Sequence, residues 1–244
     1  MEVHDGWVIN NGINIHFIDS HSKDTTGIPL VLIPGVSESA EDYLPLMELL
    51  SPMRCIAITL RGRGKSDAPQ TNYRLEDHVS DIDSVIKHLK LKEFHIMGYS
   101  RGVSYTLGYS LQSLELIRGL IIGDYPPFHT KLPTGWAEYF SSQPPWRGKP
   151  ISDRMKYHAL EGIEKESHEV SFYDELKEIN FPILIIRGGK EGAILSEEDM
   201  YKYIENIPHA TLKVFEESDH NIFEPDLEQL ALTISKFIEE MGNV

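Results

Sequence analysis

One serine stands where it could become a nucleophile. Phe94 to Met97 is a short apolar run, Gly98-Tyr99-Ser100-Arg101-Gly102 follows it, and the next residues hold no proline and can continue as a helix. A serine flanked by glycines between a strand and a helix is the sequence form of a nucleophile elbow. Such a turn is too tight for side chains at its flanks and strains the serine backbone. The helix after it directs unpaired N–H groups at the reacting centre. A serine hydroxyl attacks poorly until a base takes its proton, and a third group must orient that base. The chain offers both downstream. Glu217-Ser218-Asp219-His220-Asn221 follows the last apolar run, and Arg187-Gly188-Gly189-Lys190-Glu191-Gly192 follows the one before it. The expected roles are Ser100 as nucleophile, His220 as base and Glu191 as the acid.

These residues need a frame that brings distant loops to one edge. Leu30–Ile33, Ile56–Ile58, Phe94–Met97, Leu120–Ile122, Ile183–Ile186 and Leu212–Phe215 are short continuous apolar runs, as strands buried on both faces require. Trp7–Ile9 and Ile13–Ile18 flank Asn10-Asn11-Gly12 and predict an N-terminal hairpin. Leu75, Val79, Ile82, Ile86 and Leu89 recur at helical spacing, as do Leu227, Leu230, Ile234, Phe237, Ile238 and Met241 in a closing helix. Residues 41–50 are also helix-like. Strands alternating with helices predict an α/β fold with a mainly parallel, doubly wound sheet. The alternation breaks after Gly123-Asp124. Residues 125–150 hold six of the chain's 14 prolines and two of its three tryptophans, and the polar stretch to about 180 reads as mostly helical. The expected organisation is therefore a core of residues 1–124 and 181–244, with 125–180 inserted as a helical cap.

A formal net charge of −15 argues against nucleic acid and anionic membrane surfaces, which both demand basic patches. Cys55 is the single cysteine, so no internal disulfide can form. No C-x-x-C or H-E-x-x-H spacing points to zinc, and the chemistry above calls for neither metal nor cofactor. No stretch reaches the roughly 20 apolar residues of a membrane span. Met1–Gly6 lacks the basic start and apolar run of an export signal, so a cytoplasmic protein is expected. The expected partner is a small-molecule acyl substrate, and the chain is expected to act as a monomer or homodimer.

The order Ser100, Glu191, His220 resembles the α/β-hydrolase fold superfamily, in particular its serine esterases and lipases with a helical cap. Leu60-Arg61-Gly62-Arg63-Gly64-Lys65-Ser66 is similar to the family's D-x-R-G-x-G-x-S loop, with Thr59 where the Asp usually stands. Leu184–Glu191 is similar to its apolar strand and G-x-x-D, and Asp219-His220-Asn221-Ile222-Phe223-Glu224-Pro225 to its G-H-x-x-x-x-E-x-P. The family's acid is usually Asp. Asp124, after an earlier strand, is therefore a rival to Glu191, its bland alternative being a cap on the insertion's first turn. Pro34-Gly35 stands where the family has His-Gly, which removes that histidine's bracing of the loop. The resemblance implies an oxyanion hole from the Val36 and Arg101 N–H groups. The Arg101 side chain is expected in a structural ion pair, and Arg61, Arg63 and Lys65 in a solvated, ion-paired loop. Trp136, Tyr139, Phe140 and Trp146 either line a substrate pocket or pack the insertion onto the core. The implied activity is hydrolysis of an ester, thioester or lactone. A carbon–carbon bond hydrolase or lyase, or a ligand receptor on the same fold, is the alternative.

Overall fold

A computed structural model describes residues 1–242. Strands β1 (His4–Asn10) and β2 (Ile13–Asp19) form the hairpin, turning through Asn11 and Gly12 at φ of 50° and 82°. Then come β3 (Thr26–Ile33), α1 (Leu44–Leu49), β4 (Met53–Thr59), α2 (Leu75–His88), β5 (Phe94–Tyr99), α3 (Gly102–Ser110) and β6 (Ile117–Gly123). The segment after β6 contains the two-residue strands β7 (Phe128–His129) and β8 (Val170–Ser171), with α4 (Trp136–Ser141) and α5 (Tyr157–Glu166) between them. The chain closes with β9 (Ile183–Gly188), α6 (Glu197–Asn206), β10 (Thr211–Phe215) and α7 (Leu227–Gly242).

The main sheet has eight strands in the order β1-β2-β4-β3-β5-β6-β9-β10. β1, β2 and β4 pair antiparallel, and every pairing from β4 through β3 to β10 is parallel. This is the expected doubly wound frame. Strand periodicity divides its core in two: Val31, Ile33, Ile96, Ile183 and Ile185 join one cluster with Val79, Ile82 and Ile86 of α2 and Val103 and Leu107 of α3. Their neighbours Leu30, Leu32, Met97, Leu184 and Ile186 join Leu46 and Met47 of α1 and Leu230, Ile234 and Phe237 of α7. Each fully buried aliphatic side chain contributes roughly 1.5–3 kcal/mol, so a one-residue slip of a strand exchanges both cores at once.

Local chemistry explains two departures from the expected elements. The helix foreseen over 41–50 is split into a 3-10 turn (Ala40–Tyr43) and the short α1, with Pro45 in its first turn, where no N–H is needed. Helix α6 was not foreseen. Ser196 starts it by accepting the Asp199 N–H at 3.0 Å.

The loop after β4 is a correction. Arg61 and Arg63 are buried rather than solvated; only Lys65 is exposed. Arg61 makes a two-pronged contact with Asp81 of α2, Nε to Oδ2 at 2.8 Å and Nη2 to Oδ1 at 2.6 Å. Arg63 has no carboxylate partner among the described residues. It donates to the Val36 carbonyl, the Arg61 carbonyl and His78 Nε2. Thr59, at the position where the Asp usually stands, accepts the Ala40 N–H at 2.9 Å.

Between β6 and β9 the chain builds a small cluster of its own from Ala137, Ile151, Met155, Ala159, Leu160 and Ile163, packed with Tyr73. It is fastened to the rest of the molecule by backbone and carboxylate contacts. Gly64 donates to the Arg154 carbonyl at 3.0 Å, and Glu166 accepts the Tyr73 N–H at 2.8 Å.

Candidate active site

β5 ends at Tyr99 and α3 begins at Gly102, which leaves Ser100 in the turn with a left-handed φ of 54°. That conformation is strained for a residue with a side chain, and the tight turn that holds it is possible because the residues two positions to either side, Gly98 and Gly102, carry no side chain. A Cβ on Gly98 would lie 2.5 Å from Thr106 Oγ1, and one on Gly102 would land on the Pro34 and Ile33 carbonyls. The Ser100 N–H is tied to the Gly123 carbonyl at 2.9 Å.

His220 lies in the loop after β10, and its Nε2 is 2.8 Å from Ser100 Oγ. Tyr99 holds it twice, by a hydrogen bond from its hydroxyl to the His220 carbonyl at 2.7 Å and by stacking of the rings at 5.1 Å. On the other side Nδ1 is 2.7 Å from Asp124 Oδ2. An ionised carboxylate only accepts, so Nδ1 carries the proton and Nε2 offers its lone pair to the serine hydroxyl.

The structure brings Asp124, and not Glu191, to the histidine. Asp124 directly follows β6 and is fully buried. Its carboxylate also accepts the Gly188 N–H at 3.1 Å and the Ile194 N–H at 2.8 Å, so the loop after β9 supplies backbone donors to the acid. Glu191 sits at the exposed outer turn of that loop, beyond Lys190, which pairs with Glu217 at 2.7 Å. Parallel pairing of β6 with β9 brings both strand ends together, but the chain turns outward before it reaches Glu191.

Gly35 packs against Ser100 and Tyr99, which brings the loop after β3 beside the nucleophile. Neither the Val36 nor the Arg101 N–H donates to a protein acceptor among the described residues. Among the described residues the Arg101 side chain makes no ion pair, contrary to expectation. It is buried and donates to the Tyr105 hydroxyl, His129 Nε2 and the Thr130 carbonyl. Burial first, then the Arg101 charge, pushes His129 down to about 2, which keeps its nitrogen free to accept.

A cavity of about 480 Å³ opens over Ser100 and His220. Trp136, Phe140 and Trp146 line it together with Val36, Leu132 and Ile151. Tyr139 does not: it lies on the outer face of α4 and is 64% exposed. Sequence reasoning missed Glu38, which also lines the cavity and accepts from Trp146 Nε1 at 3.0 Å and Arg147 Nη1 at 3.1 Å. Away from the cavity, Asp5, His16 and Glu41 bring potential metal-ligand atoms within 4.8 Å of one another. The Lys65 ammonium already bridges the two carboxylates, at 2.7 Å from Asp5 and 3.2 Å from Glu41.

A sheet of this order, with an elbow serine, a loop histidine and an acid at one edge, is that of the α/β-hydrolases. A family model described as alpha/beta hydrolase fold matches residues 28–130. An esterase from Exiguobacterium antarcticum superposes with a TM-score of 0.80 at 25% identity, covering 96% of this chain and 98% of the esterase. The chain is 23% identical over 271 residues to a non-heme chloroperoxidase of Streptomyces lividans, covering 94% of this chain and 98% of that protein. It is also 28% identical over 122 residues to a 2-(acetamidomethylene)succinate hydrolase of Mesorhizobium japonicum, covering 49% of this chain and 44% of that protein. The chain has the α/β-hydrolase fold. Among the described residues no helix is long and apolar enough to cross a membrane.

Proposed function

We propose that the protein hydrolyses a carboxylic ester, thioester or lactone of a small molecule through an acyl-enzyme on Ser100, with residues 125–180 acting as a cap. The unbroken hydrogen-bonded succession from Ser100 through His220 to Asp124, opening into the cavity, carries this reading. Ser100 Oγ attacks the carbonyl carbon while His220 Nε2 takes its proton. The carbonyl oxygen becomes an oxyanion held by the Val36 and Arg101 N–H groups. The C–O or C–S bond then breaks, and the imidazolium returns the proton to the leaving group. Water repeats the sequence against the acyl-serine and releases the acid. Asp124 keeps the imidazole in the productive tautomer and stabilises its cationic form.

The cavity lining favours an uncharged acyl group. Its wall is mainly aromatic and aliphatic, and the Glu38 charge is met by Arg147. A fluorophosphonate probe is expected to label Ser100, and p-nitrophenyl esters from acetate to octanoate to be turned over. Ser100→Ala should abolish labelling and lower kcat by about 10⁴- to 10⁶-fold. Full activity in that variant rules the reading out, and turnover of a 1,3-diketone without ester turnover moves it to carbon–carbon bond cleavage.

A further inference from the structure

The oxyanion loop lacks the bracing histidine, yet it is held from both sides by buried charged groups. The Val36 N–H belongs to the peptide between Gly35 and Val36. On one side of that peptide the Gly35 N–H donates to Glu38 Oε2 at 3.2 Å; on the other the Val36 carbonyl accepts from Arg63 Nε at 2.9 Å. Glu38 and Arg63 are 2% and 1% exposed. The Glu38 carboxylate is fully engaged. Tyr43 donates to Oε2 at 3.0 Å, while Oε1 takes the indole N–H of Trp146 and the guanidinium of Arg147. Burial and then the Glu38 charge push the Tyr43 phenol well above its ordinary value, so it stays a donor.

We propose that Glu38 is a positioning residue for the acyl-transfer chemistry, fixing the aim of the Val36 N–H and joining the oxyanion loop to the cavity wall through Trp146. This rests on the hydrolytic reading above. An oxyanion donor contributes through being aimed before the charge develops, and a peptide free to rock loses much of that advantage. Pinning both neighbouring peptide units fixes the 35–36 plane while leaving its N–H available. The Arg147 pairing matters too, because it cancels a negative charge that would otherwise oppose the oxyanion. Trp146 is held independently through its backbone, which exchanges hydrogen bonds with Lys149 and accepts from Arg154 Nη2 at 2.8 Å. Loss of Glu38 therefore disturbs the loop more than the wall.

The test is Glu38→Gln. A glutamine has one acceptor oxygen for four donors, and its amide adds two donors more. Against p-nitrophenyl butyrate, kcat is expected to fall about 10- to 100-fold, less than for outright removal of an oxyanion donor, with KM within about threefold. Inhibition by 1-butaneboronic acid, which forms a tetrahedral adduct on serine, should weaken by the same factor as kcat/KM. A merely structural role would lower the active fraction and leave the boronate affinity of the surviving enzyme unchanged. If Glu38→Gln does not fold, Tyr43→Phe keeps the carboxylate and removes one of its fixing donors; a fall of about threefold in kcat with a parallel boronate shift is expected. A folded variant with unchanged kcat/KM, or one with a kcat loss and unaltered boronate affinity, overturns the role of Glu38 alone. A wild-type enzyme that neither boronate nor fluorophosphonate touches removes the acyl-serine reading, and the role with it.

Discussion

Acidification should unfold this protein through its buried histidines. His95, His129 and His78 are 3%, 1% and 0% exposed. Burial first holds His95 down at about 4 and His129 at about 2, and pushes His78 well below the ordinary imidazole value. Charges reinforce the shift at two of them, Arg101 and His168 acting on His129 and Arg63 and Arg61 on His78; at His95 the Glu93 charge opposes it more than Arg118 aids it, and burial alone carries the shift. A group whose folded value is depressed favours the folded state above its unfolded value of about 6.5, and that advantage drains away as pH falls toward the folded value. At pH 5.0 the chain is about 1.5 units below the unfolded value. At about 1.36 kcal/mol per unit, His95 and His129 then each withdraw about 2 kcal/mol relative to neutral pH. His78 adds in the same direction. A combined loss of about 4 kcal/mol or more is a large share of a typical 5–15 kcal/mol stability. Urea unfolding followed by tryptophan fluorescence at pH 7.5 and 5.0 measures it. His95→Gln should shrink the pH-dependent part by about 2 kcal/mol, whatever it does to stability at pH 7.5. A loss below about 1 kcal/mol between the two pH values would refute the reasoning, because the imidazoles would then be able to charge inside the fold.

Three further outcomes are expected. Asp124→Asn should lower kcat by about 10³- to 10⁴-fold through the wrong histidine tautomer, while Glu191→Gln stays within about twofold in the same ester assay. Phe140→Ala should widen the cavity and shift the preferred acyl chain toward longer esters, whereas Tyr139→Ala leaves the chain-length profile where it was. Burial, with a further push from Asp19, raises the Cys55 thiol to about 12. Iodoacetamide at pH 8 should therefore leave Cys55 unmodified in the folded protein and alkylate it in urea, as mass spectrometry will report.

Much of this was legible because it depends on periodicity. Continuous apolar runs such as Leu30–Ile33 can only be strands covered on both faces, and Gly98-x-Ser100-x-Gly102 encodes a turn whose glycines are sterically required. The acid was harder to read. Asp124 and Glu191 both follow buried strands that pair in parallel, and composition alone does not say how far a loop travels before it turns outward. One signal was available: Asp124 abuts its strand, while Glu191 is separated from its own by Gly189 and Lys190. The basic loop misled for a related reason. Arg61 and Arg63 look solvated in isolation, and the groups that make their burial tolerable (Asp81 and His78) come from a helix about 20 residues on. Glu38 carried no motif at all; its importance depends on a tryptophan and an arginine more than a hundred positions away.

Locating the carboxylate directly after β6 divides the freedom to vary unequally between two surface loops. Among the described residues the bend beyond β9 meets the Asp124 carboxylate through main-chain donors, from Gly188 and Ile194, so the outward-facing positions between them can accept new side chains, tags or reporter groups without touching the contact between Asp124 and His220. The junction at 124–125 has no such latitude. Any exchange of residues 125–180 for a segment from another protein must splice after Asp124, since a shift of one residue there would swing the Asp124 carboxylate out of reach of the His220 imidazole.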